Sequence, residues 1–334
     1  MKLNEADRLP FLLKPVGKDY LWGGTKLRDL YSKDFMTDTV AESWECSTHP
    51  NGLSIVASGP FEGMSLSDVL LSHPEFLGSH PKCPPGRIPI LVKLIDANSD
   101  LSIQVHPSDE YAFANENGQL GKTEMWYVID AKPGASIVYG LKRKLEKNKV
   151  LRFATEGTIG KYLQRIPVHK NDVFIVEPGI VHAIGEGILI AEIQESSDLT
   201  YRLFDYNRVD KNGNRRELHI EKALSVMNFG STPPPKQPLR VLKYTPGRAT
   251  EALMRCKYFQ VDRMLINTER VRDMADFRTG TSTFQILLCY EGCATITERS
   301  GWALNLFQGD SVFVPSESPA LKIHGKASFL RIRC

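Results

Sequence analysis

Short apolar runs, separated by turn-forming residues, dominate the pattern of this chain. Such runs lie at 88–95, 173–176 and 188–193, and Gly, Pro, Asn or Asp residues bound them. Runs of this length with these boundaries are typical of β-strands. Helical periodicity is confined to short stretches, of which 65–77, with a capping serine, and 218–229 are the clearest. The pattern therefore predicts a mainly β protein with small helical insertions.

One predicted strand carries a polar face in an unexpected place. Ser102, Gln104 and His106 alternate along the chain directly after the apolar run at 88–95. Because side chains two residues apart on a strand share a face, all three point to the same side. A strand that follows a buried run is poorly placed to show this face to solvent. We expect it to line a cavity.

The next β-rich runs predict a local hairpin. Residues 125–129 and 136–139 both favour strand, and Asp-Ala-Lys-Pro-Gly at 130–134 separates them. Proline and glycine in a short connection between two strands are typical of a hairpin turn. The polar stretch at 142–163 has helical periodicity and is expected to be a surface insertion.

The chain divides into two predicted units. Ser-Thr-Pro-Pro-Pro-Lys-Gln-Pro at 231–238 has the composition of a linker. We therefore predict an N-terminal domain over 1–230 with helical insertions and a C-terminal β-domain over 239–334. The segment at 309–315 repeats the form of 171–178, which indicates two related β-units and predicts two β-barrels.

The repeat is imperfect at a chemically informative position. His182 stands four residues after Pro178, whereas Pro319 stands four residues after Pro315. The second unit also lacks a counterpart of the Gln-x-His pair at Gln104. Polar inward residues are thus expected in the first unit alone, and the second unit is predicted to be free of metal.

Composition narrows the possible partners and compartment. The chain has 334 residues, with 42 Lys+Arg against 39 Asp+Glu, and no long basic run, which disfavours a nucleic-acid partner. No apolar stretch reaches the roughly 18 residues of a membrane span, and the N-terminus lacks a signal peptide pattern. The six cysteines are scattered without a CxxC pair. Free thiols predict the cytoplasm. The pattern favours neither a monomer nor a homo-oligomer.

Four residues of the first unit form a candidate metal site. Gln104, His106, Glu124 and His182 supply an amide oxygen, two imidazoles and a carboxylate, and their strands can be neighbours in a barrel. This donor set suits one zinc ion per chain with a position left open, although Fe(II) or Mn(II) would also fit. A single histidine is more often a packing or surface residue, so the prediction depends on the four acting together.

The motifs carry a resemblance to a known family. They are residues 20–24 (YLWGG), 42–47 (ESWECS), 91–97 (LVKLIDA), 101–107 (LSIQVHP), 121–127 (GKTEMWY), 178–185 (PGIVHAIG) and 192–202. The chain resembles the type I mannose-6-phosphate isomerases, the zinc-dependent cupin family, in their shorter bacterial form. The resemblance implies that the two related units are cupin-type, jelly-roll β-barrels. The likeness extends over nearly the whole length, and the order of the S-x-Q-x-H-P and K-x-E blocks is specific to it.

The resemblance implies roles for individual residues. The implied zinc ligands are the four residues of the candidate metal site. The implied catalytic residues are Arg202, Glu192 and Lys122, and the implied substrate-binding residues are Ser102, Lys93, Asp198 and Trp22. The local sequence around Arg202 differs from that of the family's larger members, but Asp198 still lies four residues before Arg202.

The implied reaction explains the residue types. Interconverting mannose 6-phosphate and fructose 6-phosphate moves a proton between C1 and C2 through an enediol, and nearby cations stabilise the charge that develops. Glu192 is a candidate base, with Lys122 and a zinc-bound hydroxide as rivals. Arg202 would steady the enediolate with help from Asp198, and Lys93, Ser102 and Lys122 are candidate phosphate partners.

Two other functions fit parts of the pattern. A cupin that binds a metal and a sugar without turnover, as a regulator, would need the metal ligands alone. A metal-dependent dioxygenase on the same barrel is disfavoured by the amide of Gln104 in the ligand set. The presence of Glu192, Asp198 and Arg202 beside the ligands favours the isomerase over both.

Overall fold

The protein is described by a computed structural model that covers residues 8–210, 212–271 and 273–334. Residues 1–7, at the start of the first predicted domain and of the region searched for a signal peptide, lie outside this description. The helices are α1 Lys26–Tyr31, α2 Leu66–Ser72, α3 Asp109–Asn115, α4 Lys147–Thr155 and α5 Ile220–Val226, with 3-10 turns at Pro74–Leu77 and Ile159–Tyr162.

Strands far outnumber helices among the described residues. They are β1 Phe11–Lys14, β2 Val16–Lys18, β3 Glu42–Cys46, β4 Thr48–His49, β5 Gly52–Leu53, β6 Ile55–Val56, β7 Ile90–Ala97, β8 Ile103–Val105, β9 Glu124–Ala131, β10 Ser136–Leu141, β11 Leu163–Pro167, β12 Val173–Val176, β13 His182–Ala183, β14 Ile188–Glu195, β15 Tyr201–Phe204, β16 Lys243–Thr245, β17 Arg248–Arg255, β18 Gln260–Asn267, β19 Ala275–Phe277, β20 Gln285–Glu298, β21 Ala303–Phe307, β22 Ser311–Val314 and β23 Leu321–Arg333. The prediction of a mainly β protein with small helices is confirmed.

Two sheets build the first unit. A six-stranded sheet has the order β12-β9-β14-β7-β3-β2, and a five-stranded sheet has the order β11-β10-β13-β8-β15. Trp126 and Ile190 of the first sheet pack with Ile137 and Tyr139 of the second in one apolar cluster. The polar residues of both sheets can therefore meet between the two layers.

The chain repeatedly crosses from one sheet to the other. The pairs β7/β8, β9/β10, β12/β13 and β14/β15 each begin in the six-stranded sheet and end in the five-stranded sheet. The predicted hairpin between β9 and β10 is therefore wrong. β9 instead pairs with β12 and β14, because its residues from Glu124 to Ile129 are buried and find apolar neighbours within the six-stranded sheet.

A ten-stranded sheet holds most of the C-terminal region. Its main path is β16-β17-β18-β23-β20-β22-β1-β6, with β19 attached to β23 and β21 attached to β20. β1 and β6 come from the N-terminal region, and Phe11 lies opposite Phe313 in the register. The domain division stays a prediction, and the backbone hydrogen bonds of this sheet run across it.

The predicted linker at 231–238 lies against the first unit. Gln237 accepts a hydrogen bond from the backbone N–H of Val173 (2.8 Å) and donates one to its carbonyl (3.0 Å). The hydroxyl of Thr232 accepts from the N–H of Leu141 at 3.3 Å. The segment thus satisfies backbone groups of β10 and β12, although it contains no regular helix or strand.

The short helices begin where the sequence indicates. The hydroxyl of Ser65 accepts a hydrogen bond from the N–H of Asp68 at 3.1 Å and so caps α2. α4 and α5 occupy the predicted helical stretches and pack together beside the five-stranded sheet. None of the helices in the described ranges is both long and apolar enough to cross a membrane.

Candidate active site

Three strands of the five-stranded sheet align polar side chains in one row. Gln104 on β8 lies opposite His182 on β13 and opposite Arg202 on β15. Residues directly opposite each other on neighbouring strands share a face of the sheet. Residues 98 positions apart in the chain, Gln104 and Arg202, are thereby neighbours.

The six-stranded sheet presents a matching row. Glu192 at the centre of β14 lies opposite Lys93 on β7 and Trp126 on β9. Lys93 in turn lies opposite Trp44 on β3. Glu124 is two residues before Trp126 on β9, so its side chain points to the same face. The two rows line the space between the sheets.

Two histidines and one carboxylate meet at the base of this space. The Nε2 atoms of His106 and His182 are 3.1 Å apart, and Glu124 Oε1 is 3.0 Å from His106 Nε2. Glu124 Oε2 is 3.8 Å from His182 Nε2. All three side chains are buried, and their donor atoms lie within 4.8 Å of one another. This spacing suits a shared metal ion.

Backbone carbonyls set the orientation of both imidazoles. His106 Nδ1 lies 2.7 Å from the carbonyl of Leu199, and His182 Nδ1 lies 2.8 Å from that of Ile180. A carbonyl can only accept, so each Nδ1 carries the proton and each Nε2 keeps a lone pair for a metal. Such outer contacts are a general feature of metal-binding histidines.

The turn before His182 is built on a glycine. Gly179 has φ +84°, which side-chain-bearing residues rarely adopt, and its N–H donates to the carbonyl of His106 at 3.0 Å. This bond joins the turn to the strand end that carries His106. The Pro-Gly pair of the sequence thus positions one proposed ligand against another.

The protonation states of the cluster fit metal binding. Burial, followed by the charge of Lys122, lowers the pKa of His106 to about 3, and burial also lowers the pKa of His182. Burial opposes ionisation of Glu124, but Lys122 and His106 outweigh it and lower its pKa below the ordinary range. Two neutral imidazoles and a carboxylate are a donor set that zinc prefers. Gln104, next to His182 in the sheet, remains the predicted fourth ligand.

A cavity of about 470 Å³ lies next to the cluster, since Lys122, which contacts Glu124 and His106, is in its wall. All seven residues predicted as catalytic or substrate-binding line it, together with Gln104: Trp22, Lys93, Ser102, Lys122, Glu192, Asp198 and Arg202. They come from four strands, β7, β8, β14 and β15, and from four connecting segments. The fold therefore brings the whole predicted set to one place, and the role of each residue stays a prediction.

Glu192 is the buried carboxylate of this cavity. Lys93 Nζ donates to Glu192 Oε1 at 3.0 Å, and Trp126 Nε1 donates to Glu192 Oε2 at 2.9 Å. The same indole N–H also contacts Glu124 Oε2 at 3.0 Å. Burial, followed by the charge of Glu124, raises the pKa of Glu192 even with Lys93 beside it. A carboxyl group shifted in this direction suits proton transfer near neutral pH.

Asp198 has different partners from those expected. Its carboxylate accepts a hydrogen bond from Asn51 and lies 3.6 Å from His49 Nε2. Within the described parts of the chain, no ion pair joins Asp198 to Arg202. Arg202 instead donates to the carbonyl of Glu217 at 3.4 Å, and its Nε has no hydrogen-bond partner. Asp198 thus contributes to the cavity wall, and it does not orient Arg202.

Sequence reasoning missed several residues of the cavity wall. Tyr20, Glu42 and Trp44 line it, as do Asn51 and Arg216. The first three lie within the motifs quoted above, and the alternation of Glu42 and Trp44 on β3 could have placed both on the cavity face. Arg216 lies in an irregular segment, where no periodicity indicates a direction.

Comparison with known proteins supports the fold. A sequence model described as "Phosphomannose isomerase type I, catalytic domain" matches residues 10–132. A crystal structure of the mannose 6-phosphate isomerase from Bacillus subtilis has a TM-score of 0.88 at 34% identity, covering 97% of this chain and 99% of that one. The predicted cupin-type fold class is thereby confirmed.

Two further proteins extend the comparison. The mannose-6-phosphate isomerase ManA of Bacillus subtilis (strain 168) is 40% identical over 252 residues, which are 75% of this chain and 78% of that protein. A zinc-bound mannose 6-phosphate isomerase has a TM-score of 0.72 at 16% identity, covering 97% of this chain and 98% of that chain, and so shares the fold. From the ManA match over most of both proteins, this chain belongs to the type I phosphomannose isomerase family.

Proposed function

We propose that this chain interconverts mannose 6-phosphate and fructose 6-phosphate at the cavity between the two sheets of the first unit. The observation that carries the proposal is the contact of one indole N–H with two carboxylates. Trp126 Nε1 lies 3.0 Å from Glu124 Oε2 in the metal cluster and 2.9 Å from Glu192 Oε2 in the cavity. A metal site and a candidate proton carrier are therefore held side by side.

His106, Glu124 and His182 would hold a zinc ion, with Gln104 as the fourth ligand. When bound, zinc would supply a Lewis acid beside O1 and O2 of the sugar, where negative charge develops during isomerisation. The same donors also suit Fe(II) and Mn(II). Measurement of the metal that copurifies with the protein will identify the ion.

Glu192 would move the carbon-bound proton. As a carboxylate it takes the proton from C2 of the aldose, and it returns that proton to C1 of the enediol to form the ketose. Over the cycle O1 gains a proton and O2 loses one, so the atoms balance. Lys93 and Trp126 hold the two carboxylate oxygens and thereby fix the direction in which Glu192 faces.

Lys93 is charged but already paired within the cavity. Burial opposes its charge, but Glu42 and Glu192 outweigh burial and raise its pKa. Its Nζ lies 3.0 Å from Glu192 and 3.6 Å from Glu42. We infer that Lys93 mainly positions Glu192, and that a contact with substrate would be through the remaining N–H.

Lys122 and Arg202 would supply positive charge to the sugar oxygens. Lys122 Nζ is 2.5 Å from Glu124 Oε1 and 3.4 Å from His106 Nε2, so it stands beside the cluster. Arg202 is one strand away from Gln104, and its Nε is unpaired. Both can donate hydrogen bonds to an enediolate oxygen, and such bonds strengthen as charge accumulates. Ser102, buried in the cavity wall, would bind a sugar hydroxyl.

The alternative of a metal- and sugar-binding regulator would need no proton carrier. A regulator gains nothing from a buried Glu192, because burying an ionisable carboxyl group costs stability. The pKa of Glu192, raised by burial and then by Glu124, is therefore better explained by proton transfer.

A coupled assay tests the proposal. The zinc-loaded protein should convert mannose 6-phosphate to fructose 6-phosphate, and removal of the metal with a chelator should abolish the activity. Glu192→Gln should keep the zinc and lower kcat by about 1,000-fold, since it removes the proton carrier. Absence of turnover by the zinc-loaded wild type would support the regulator instead.

We also propose a cytoplasmic location. All six cysteines are free thiols in the described structure. Free thiols, two of them buried, are typical of proteins in reducing compartments. Fractionation of the native host with a tagged chain would test this.

A further inference from the structure

An aspartate at the end of β15 binds two arginines. Asp205 Oδ1 accepts from Arg208 Nη2 at 2.5 Å, and both Asp205 oxygens accept from Arg216, through Nε at 2.8 Å and Nη2 at 2.5 Å. The carboxylate of Asp205 is 5% exposed, and the two arginine side chains are 21% and 20% exposed. The two parallel hydrogen bonds from Arg216 to Asp205 fix both the direction and the plane of the Arg216 guanidinium group.

The two arginines differ in what they face. Arg216 lines the active-site cavity, whereas Arg208 does not and donates instead to the carbonyl of Asp100 at 2.5 Å. Because Arg216 uses Nε and Nη2 on Asp205, its Nη1 is left for another acceptor. Among the described residues, Nη1 donates to none.

The positive charge at this end of the cavity exceeds the negative charge. Lys93 is paired with Glu192 and Lys122 with Glu124. Asp205, by contrast, is the single carboxylate for two arginines, and the neighbouring Arg202 has no ion pair in the described ranges.

The charge of Arg216 acts on Arg202. Burial, and after it the charge of Arg216, lowers the pKa of Arg202. Glu217 is also close, but its side chain is 83% exposed and lies 3.9 Å from His219. A phosphate bound by Arg216 would offset its positive charge and so weaken the repulsion between the two guanidinium groups.

The location matches the far end of a hexose phosphate. The reacting atoms C1 and C2 belong near the metal cluster, and the phosphate is attached at C6, the opposite end of the carbon chain. Arg202 is on β15, beside the strand of Gln104, and Asp205, which binds Arg216, directly follows β15. We propose that Arg216 binds the phosphate of the substrate, an inference that rests on the proposed function.

Lys18 is the rival for this role. It lines the cavity at β2, the edge of the six-stranded sheet, and has no carboxylate partner among the described residues. Its Nζ donates to the carbonyl of Asn51 at 2.6 Å and lies 4.7 Å from the Trp44 ring centroid. A single ammonium group on a flexible stem is less suited to a phosphate than a guanidinium fixed by a carboxylate.

Steady-state kinetics of four variants test the proposal. Arg216→Gln should lower kcat/KM for fructose 6-phosphate by about 100-fold and raise the inhibition constant of inorganic phosphate by about tenfold. Arg216→Lys keeps the positive charge but loses the planar guanidinium group, and its kcat/KM should be about tenfold higher than that of Arg216→Gln. Zinc content should be unchanged in both, since neither variant contacts the metal cluster.

Arg208→Gln is the matched control, because it removes the other arginine from Asp205 and leaves the cavity wall intact. It should stay within about threefold of wild type. A larger loss in Lys18→Gln than in Arg216→Gln, or equal losses in Arg208→Gln and Arg216→Gln, would overturn the proposal. An active wild type with an unaffected Arg216→Gln contradicts this inference alone. An inactive wild type contradicts the proposed function and this inference with it.

Discussion

Two turns of similar sequence, one in each half of the molecule, are followed by residues of very different chemistry. In the first unit, the turn after β12 leads to His182, which is buried against His106 and Glu124. In the C-terminal region, the turn after β22 leads to Pro319, and the hydroxyl of Ser316 within that turn donates to the carbonyl of Gly280 at 3.0 Å. The first turn places a proposed metal ligand, whereas the second places a proline that has no donor atom for a metal.

The interiors beside the two turns differ in the same way. Lys93, Lys122, Glu124 and Glu192 are buried in the first unit. Around Val312 in the C-terminal region the buried cluster is apolar. The buried carboxylates of that region, Glu251 and Asp262, are paired with partly exposed arginines and not with each other across a cavity. Buried charges cost stability unless partners compensate them, so a polar interior is kept where a ligand uses it. The comparison indicates that the first unit provides chemistry and the C-terminal sheet provides stability.

Of the variants that test this comparison, one that removes His182 is expected to have the largest effect. His182→Ala should lower bound zinc well below one ion per chain and reduce kcat by about 1,000-fold or more, because it deletes a proposed ligand. Metal analysis after dialysis and the coupled assay measure both. Pro319→Ala, at the equivalent position of the second turn, should leave both unchanged. Full zinc content and rate in His182→Ala would refute the proposed site.

A second variant tests whether the C-terminal sheet contributes stability and not activity. Phe329 on β23 is fully buried, and Phe329→Ala should lower the free energy of unfolding by about 3–5 kcal/mol. The turnover per folded molecule should stay at the wild-type level. Denaturant unfolding measures the first quantity and an assay below the transition the second. Phe307→Ala, at a residue 61% exposed in the same sheet, is the control and should cost less than about 0.5 kcal/mol.

A smaller effect should come from the indole that joins the two carboxylates. Trp126→Phe removes the N–H that contacts Glu124 and Glu192 and should lower kcat by about 10–100-fold, the usual range for outer contacts of a metal site. Trp302→Phe in the C-terminal region is the matched control. If both variants kept full activity, the contact would serve packing alone.

The smallest effect is expected where the two regions meet. Asp109 accepts a hydrogen bond from Tyr258 at 2.7 Å, and Glu195 lies beside it. Burial, partly offset by Thr123, raises the pKa of Glu195 from 4.5 to about 7. The folded state therefore holds this proton more tightly than the unfolded chain does.

The stability that Glu195 contributes is full below its unfolded pKa of 4.5 and is lost as the pH rises through the folded pKa of about 7. Glu195→Gln should flatten the pH dependence of the unfolding free energy across this window by on the order of 1 kcal/mol. Denaturant midpoints at a series of pH values measure it. An unchanged slope would show that Glu195 does not titrate in this way.

Much of the fold could be predicted because its signals are local. Apolar runs and turn residues indicate strands wherever they lie, and a serine before a leucine-rich stretch caps a helix whatever surrounds it. The hairpin at 130–134 could not be judged in this way. Its turn residues are compatible with β9 pairing to β10 or to other strands. Burial of the apolar side chains of β9 favours pairing with β12 and β14.

The sequence by itself determined which residue types the site contains. The spacing of Gln104 and His106 and the contrast between His182 and Pro319 already indicated a metal site in one unit. Only the tertiary structure decided which of these side chains share a cavity, because their strands are brought together by sheet pairing over long stretches of chain. It also decided that Asp198 contacts Asn51 and that Arg216 reaches the cavity, since irregular segments carry no periodicity from which a direction can be read.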